Sequence, residues 1–153
     1  MKSYFDTTAL VAMYVSEAHS RSARQEAQAV GQVPLTPLHD LELGNALRLL
    51  RGRQLIDDHQ LEQLLHHLAD DRDAGRLVET PVDLHRVFER AHELSAACAV
   101  RLLCRSLDIL HVASALELEC RRFISGDERQ LALAKEMGLE IVDIKSRRRP
   151  RRI

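Results

Sequence analysis

Five short apolar segments recur between longer helical stretches, and this alternation limits the possible folds more than any other feature. The segments are residues 2–6, 33–36, 77–79, 123–125 and 140–143. The first ends at Asp6 and carries Tyr4 and Phe5 as strand formers. Pro34 and Pro37 keep the second extended. Thr7 or Thr8 can cap a helix that follows the first strand. Helical composition then covers about 19–30, 38–51, 57–73, 83–97, 106–120 and 128–137, with Gly31, Gly52, Gly75 and Gly138 as stops. Short strands alternating with helices predict a parallel sheet covered by helices, with right-handed crossovers. Ligands of such sheets bind beyond the carboxyl ends of the strands. Asp6 and Asp127 each stand at or just after the end of a strand.

A chain of 153 residues suits one domain, and no repeat or low-complexity linker divides it. Its longest apolar run, Ala9 to Val15, has seven residues. A membrane-spanning helix needs about 20. The start, Met-Lys-Ser-Tyr-Phe-Asp, has no secretory pattern. Cys98, Cys104 and Cys120 form no CxxC pair. Reduced thiols and a cytoplasmic location are the expectation. The net charge of −1 hides an asymmetry. Six of the 22 basic residues fall in 145–153 without an acid, which leaves 16 basic against 23 acidic residues, net −7, in 1–144. A basic segment of this kind suits a polyanion or an acidic partner surface.

Four acids stand out by position: Asp6, Glu42, Asp108 and Asp127. Each alone has an ordinary use. Asp6 and Asp127 can begin turns or cap helices, and Asp108 suits a helix's first turn. Glu42 is harder to place, because Leu38, Glu42, Ala46 and Leu49 fall on one helical stripe that is otherwise apolar. Asp108, His111 and Ala115 likewise share a helix face. If the four acids converge, like charges about 4 Å apart repel by about 4 kcal/mol at an effective dielectric near 20. Protons or a cation must relieve that repulsion. Oxygen ligands without His or Cys favour a hard ion such as Mg²⁺ or Mn²⁺. Such an ion suits phosphodiester hydrolysis.

Four segments carry a family resemblance. Tyr4-Phe5-Asp6-Thr7-Thr8-Ala9-Leu10-Val11 resembles the opening strand and turn of PIN-domain ribonucleases. Glu42-Leu43-Gly44-Asn45-Ala46-Leu47 is similar to their helical glutamate segment. Arg105 to Ala115 resembles their central aspartate helix, and Phe123 to Gln130 their last acidic turn. Order and spacing resemble a compact member of the VapC toxin group over residues 1–144. The resemblance implies a three-layer α/β/α fold with a mostly parallel, roughly five-stranded sheet. It implies an endoribonuclease dependent on Mg²⁺ or Mn²⁺, a homodimer, and inhibition by a small VapB-type antitoxin. By motif, Asp6 and Asp108 would hold metal most directly, and Glu42 and Asp127 would complete the site. Thr7 and Ser125 could hydrogen-bond these acids. The 145–153 segment lies outside the shared pattern.

Two other readings stay open: a non-catalytic RNA- or protein-binding module, and a structure-specific DNA nuclease. With two Tyr, three Phe and no Trp, base stacking is a poor candidate for recognition. RNA phosphate and shape are better ones. Arg105, three residues before Asp108, can pair with that acid or contact phosphate. His111 suits a histidine satisfied within the fold. His66 and His67 are adjacent and do not share a face. Leu61, Leu64, Leu65 and Leu68 form a stripe for core or dimer.

Overall fold

The computed structural model describes residues 2–146. Most of the basic segment, residues 147–153, lies outside them. Among the described residues, five strands are interspersed with seven helices: β1 (Ser3–Phe5), α1 (Thr7–Tyr14), α2 (Ser20–Val30), β2 (Val33–Leu35), α3 (Pro37–Gly52), α4 (Asp58–Asp73), β3 (Leu77–Glu79), α5 (Leu84–Leu102), α6 (Ser106–Glu117), β4 (Arg122–Ser125), α7 (Glu128–Glu136) and β5 (Glu140–Asp143). The pairs among these strands are all parallel. One ladder runs β1-β4-β5 and the other β2-β3. β1 and β2 lie side by side between the ladders.

The division into two ladders has a local cause. The Val33 amide donates to Arg76 O at 2.8 Å, so alternate residues of β2 face β3. Pro34 faces β1 and has no N–H to donate. Instead, one imidazole fills the gap. The Thr36 amide donates to His39 Nδ1 at 2.9 Å, and His39 Nε2 donates to the Phe5 carbonyl at 2.7 Å. These bonds fix the neutral tautomer with hydrogen on Nε2. Burial pushes the His39 pKa down to about 3, helped by the charge of His111 and opposed by the bond to Phe5.

Alternation along the strands separates two apolar layers. Tyr4 and Phe123 are in register on β1 and β4, and their rings stack with centroids 5.4 Å apart. They join Val87 and Leu94 of α5, Val112 of α6 and Leu133 of α7. Phe5, Ile124 and Val142 point the other way, toward Leu10 of α1, Leu43 and Leu47 of α3, and Leu68 of α4. Leu61, Leu64 and Leu65 pack against this second layer. The α/β/α arrangement expected from the sequence is therefore present. No described helix is long and apolar enough to cross a membrane. Cys98, Cys104 and Cys120 are free thiols.

Several boundaries differ from expectation. Of the caps the sequence offered for α1, Asp6 is the one used, its side chain accepting from the Ala9 amide, and Thr7 and Thr8 fall inside the helix. α5 runs to Leu102 instead of stopping near 97. It ends on Leu103 at φ 56°, a left-handed residue where the sequence offers no glycine signal. This turn swings the chain into α6 and sets Arg105 and Asp108 at its start. A left-handed non-glycine residue costs about 1–2 kcal/mol. Leu103→Gly should therefore raise stability by about 1 kcal/mol, measured by urea denaturation.

Candidate active site

The chain leaves β1 outward toward β2 and returns to β1's other side at β4. The carboxyl ends of β1 and β4 thus form a topological switch point, where such sheets open a crevice. A cavity of about 740 Å³ lies here, walled by Glu42, Asp108, Asp127, Arg105 and Lys145, among others. Three of the four acids read from the sequence therefore share one cavity. Asp6 itself is fully buried, while its neighbours Thr7 and Thr8 line the cavity.

Asp6 follows β1 directly, and its amide makes a last rung to Ile124 O at 3.1 Å. That places it against Ser125, the final residue of β4. The Ser125 hydroxyl donates to Asp6 Oδ2 at 2.7 Å and accepts from the Asp127 amide at 2.8 Å. The Thr8 hydroxyl donates to Asp6 Oδ1 at 2.8 Å and accepts from the Gly126 amide at 2.8 Å. These bonds tie the turn after β1 to the turn after β4. Burial still raises the Asp6 carboxyl above its ordinary range, against the charge of His111 and the bonds from Ala9, Ser125 and Thr8.

Glu42 differs from its expected setting. The buried stripe of α3 is His39, Leu43 and Leu47, one position on from the stripe read in the sequence. Glu42 stands on the flank, half-buried, with Leu49 exposed. That flank, with Glu42 and Ala46, lines the cavity. Glu42 Oε1 accepts from Thr7 Oγ1 at 3.1 Å and bonds His111 Nε2. The Tyr4 hydroxyl meets His111 Nδ1 at 2.9 Å. Burial pulls the Glu42 carboxyl up, but the bond and charge of His111 and the Thr7 bond outweigh it and hold it below its ordinary range.

Asp108 and Asp127 are held from α6 and α7. The Arg105 amide donates to Asp108 Oδ2 at 2.9 Å, and Gln130 Nε2 donates to Asp108 Oδ1 at 3.1 Å. Asp127 caps α7, accepting from the Arg129 amide at 2.9 Å and the Gln130 amide at 3.1 Å. Sequence reasoning missed Gln130, which links the two acids. Its place three residues after Asp127, in the first turn of α7, was the available signal.

Among the described residues, no three His, Cys, Asp or Glu side chains stand close enough to hold an ion as arranged. The donor chemistry still fits a hard divalent cation. Around the cavity the acids offer only oxygen, and Asp127 Oδ2 makes no backbone bond. Gln130 Oε1, in the cavity wall, is buried without a hydrogen-bond partner. Asp6 is a buried carboxylate whose ionisation a cation would favour. An ion would need the carboxylates to turn from their present bonds.

Fold and site together define a parallel α/β domain that presents acids at its topological switch point. Within that class the chain belongs to the PIN domain family, which matches residues 3–136. The fold is therefore of nuclease type. PIN domains are generally nucleases and typically use divalent metals. No curated protein matches the chain.

Proposed function

We propose that this protein is a metal-dependent endoribonuclease and the VapC-type toxin of a toxin–antitoxin pair. One observation carries the reading: Glu42, Asp108 and Asp127 wall a single cavity at the β1–β4 switch point, beside buried Asp6. Asp6 and Asp108 would hold Mg²⁺ or Mn²⁺ most directly, with Glu42 and Asp127 completing the site. A bound divalent ion supplies charge neutralisation at a scissile phosphate and a lowered pKa for the attacking water. Ser125 and Thr8 orient Asp6, while Thr7 and His111 orient Glu42. A cytoplasmic homodimer with a small VapB-type antitoxin belongs to the same proposal. So does the division into a nuclease domain over 1–144 and a cationic segment over 145–153.

The test is cleavage of matched RNA and DNA oligonucleotides by the purified protein. RNA products that appear with Mg²⁺ or Mn²⁺ and vanish with EDTA are the expected result. DNA cleavage alone would assign the protein as a DNA nuclease. The non-catalytic reading has one observation in its favour, since every one of the four carboxylates already accepts hydrogen bonds. It expects RNA binding without products. In either RNA reading, deleting 145–153 should weaken RNA binding and flatten its dependence on salt, because six basic residues are lost. Fluorescence anisotropy across a salt series checks this.

A further inference from the structure

We propose that Arg105 is the protein's own counter-cation for Asp108 and Asp127, displaced when a divalent ion binds and then free to hold a phosphate of the RNA. The inference rests on the metal-dependent ribonuclease reading above.

The geometry separates the root of Arg105 from its head. The root is fixed, because the backbone amide donates to Asp108 Oδ2 at 2.9 Å. The head is loosely held. Nε lies 3.5 Å from the same Asp108 oxygen, and Nη2 lies 4.0 Å from Asp127 Oδ2. By contrast, Arg122 holds Glu26 at 2.9 Å. The exposures are just as unequal. The Arg105 side chain is 71% exposed, against 4% for Asp108 and 19% for Asp127. A solvated guanidinium thus leans on two sheltered carboxylates from the cavity rim. It can leave without disturbing the bond that orients Asp108.

The oxygens it leans on are those an ion would need. Two cations cannot share Asp108 Oδ2 and Asp127 Oδ2, so each weakens the other's binding by the same factor. A divalent ion carries twice the charge and displaces the guanidinium outward. The released fork then stands at the mouth of the cavity, where its planar donors suit a phosphodiester. The acidic body, net −7 over 1–144, otherwise repels RNA. Among the described residues, Lys145 also lines the cavity and offsets this in part.

The experiment titrates Mn²⁺ by calorimetry into the wild type, Arg105→Ala and Arg105→Lys, without RNA. Arg105→Ala should bind Mn²⁺ about threefold tighter, the scale of losing a partly exposed ion pair. Arg105→Lys, which keeps the charge, should stay near the wild type. With saturating Mn²⁺, Arg105→Ala should raise KM for RNA about tenfold, with kcat changed less. Mn²⁺ affinity that is equal or weaker in Arg105→Ala overturns the counter-cation assignment, as does a wild type that binds no Mn²⁺. An unchanged KM overturns the release onto phosphate. Tighter Mn²⁺ binding in a protein whose wild type cuts no RNA sinks the ribonuclease reading and leaves the counter-cation standing.

Discussion

Asp6→Asn should abolish RNA cleavage, by about a thousandfold or more, while the protein stays folded and gains stability. The activity loss follows from charge. Metal-assisted stabilisation of a phosphoryl transition state contributes several kcal/mol, and each 1.4 kcal/mol is about tenfold in rate. Asp6 is the buried carboxylate joined to both central turns, so its charge is the one an ion at the switch point would need most. The fold survives because asparagine has the same shape. Its Oδ1 still accepts from the Ala9 amide, now 2.9 Å away. Its Nδ2 can donate to Ser125 Oγ, which has a lone pair free once its own proton turns aside. The gain follows from burial, which raises the Asp6 pKa and so makes its ionised form costly to the fold. Falling activity with rising stability is the mark of a group kept for chemistry. Urea denaturation and a cleavage assay on the same samples measure both. Full-rate cleavage by the folded variant would remove Asp6 from the mechanism.

What the sequence made legible was the part governed by local pattern. Tyr4-Phe5 and Phe123-Ile124-Ser125 read as strands with an acid at or just after their ends, and Asp6 and Asp127 do follow β1 and β4. Parallel pairing then followed from alternation with helices. Less legible was anything set by a distant partner. The stripe containing Glu42 was read one position off, because His39 counts as polar in a pattern yet is fully buried as a bridge to Phe5. Pro34 announced an extended segment but not that its missing amide would open the gap His39 fills. The end of α5 was missed because Leu103 adopts a conformation that sequence signals reserve for glycine. Gln130 was overlooked because its link to Asp108 spans two helices. The order and spacing of the four acids were legible, and three of them do wall one cavity, whereas their hydrogen bonds were not.

Acidification should unfold this protein along a limb set largely by His39. The unfolded chain takes up a proton at His39 near pH 6.5, while the folded chain does so only at about pH 3. Between those values the unfolded state binds more protons, so stability falls as pH falls. It is fully present above 6.5, declines by about 1.4 kcal/mol per pH unit, and is about 5 kcal/mol lower once pH is below 3. Glu42, held below its ordinary range, adds loss in the same direction at lower pH. Asp6, whose pKa is raised, works the other way and returns stability as pH falls through its range. The check is urea denaturation of the wild type and His39→Gln from pH 7 to pH 4. Glutamine leaves the Thr36 amide or the Phe5 carbonyl poorly paired, so the variant should be about 1–3 kcal/mol less stable at pH 7. It has nothing to protonate, so its acid limb should be flatter. Parallel limbs in the two proteins would show that another group sets the acid response. The chemistry is coupled to the same imidazole. A proton on His39 Nδ1 removes the acceptor of the Thr36 amide while Nε2 still holds the carbonyl of Phe5, the residue before Asp6, so the bridge between β1 and the end of β2 is broken at Thr36. Cleavage should therefore fail on acidification along with the fold, and in His39→Gln it should follow the flatter limb.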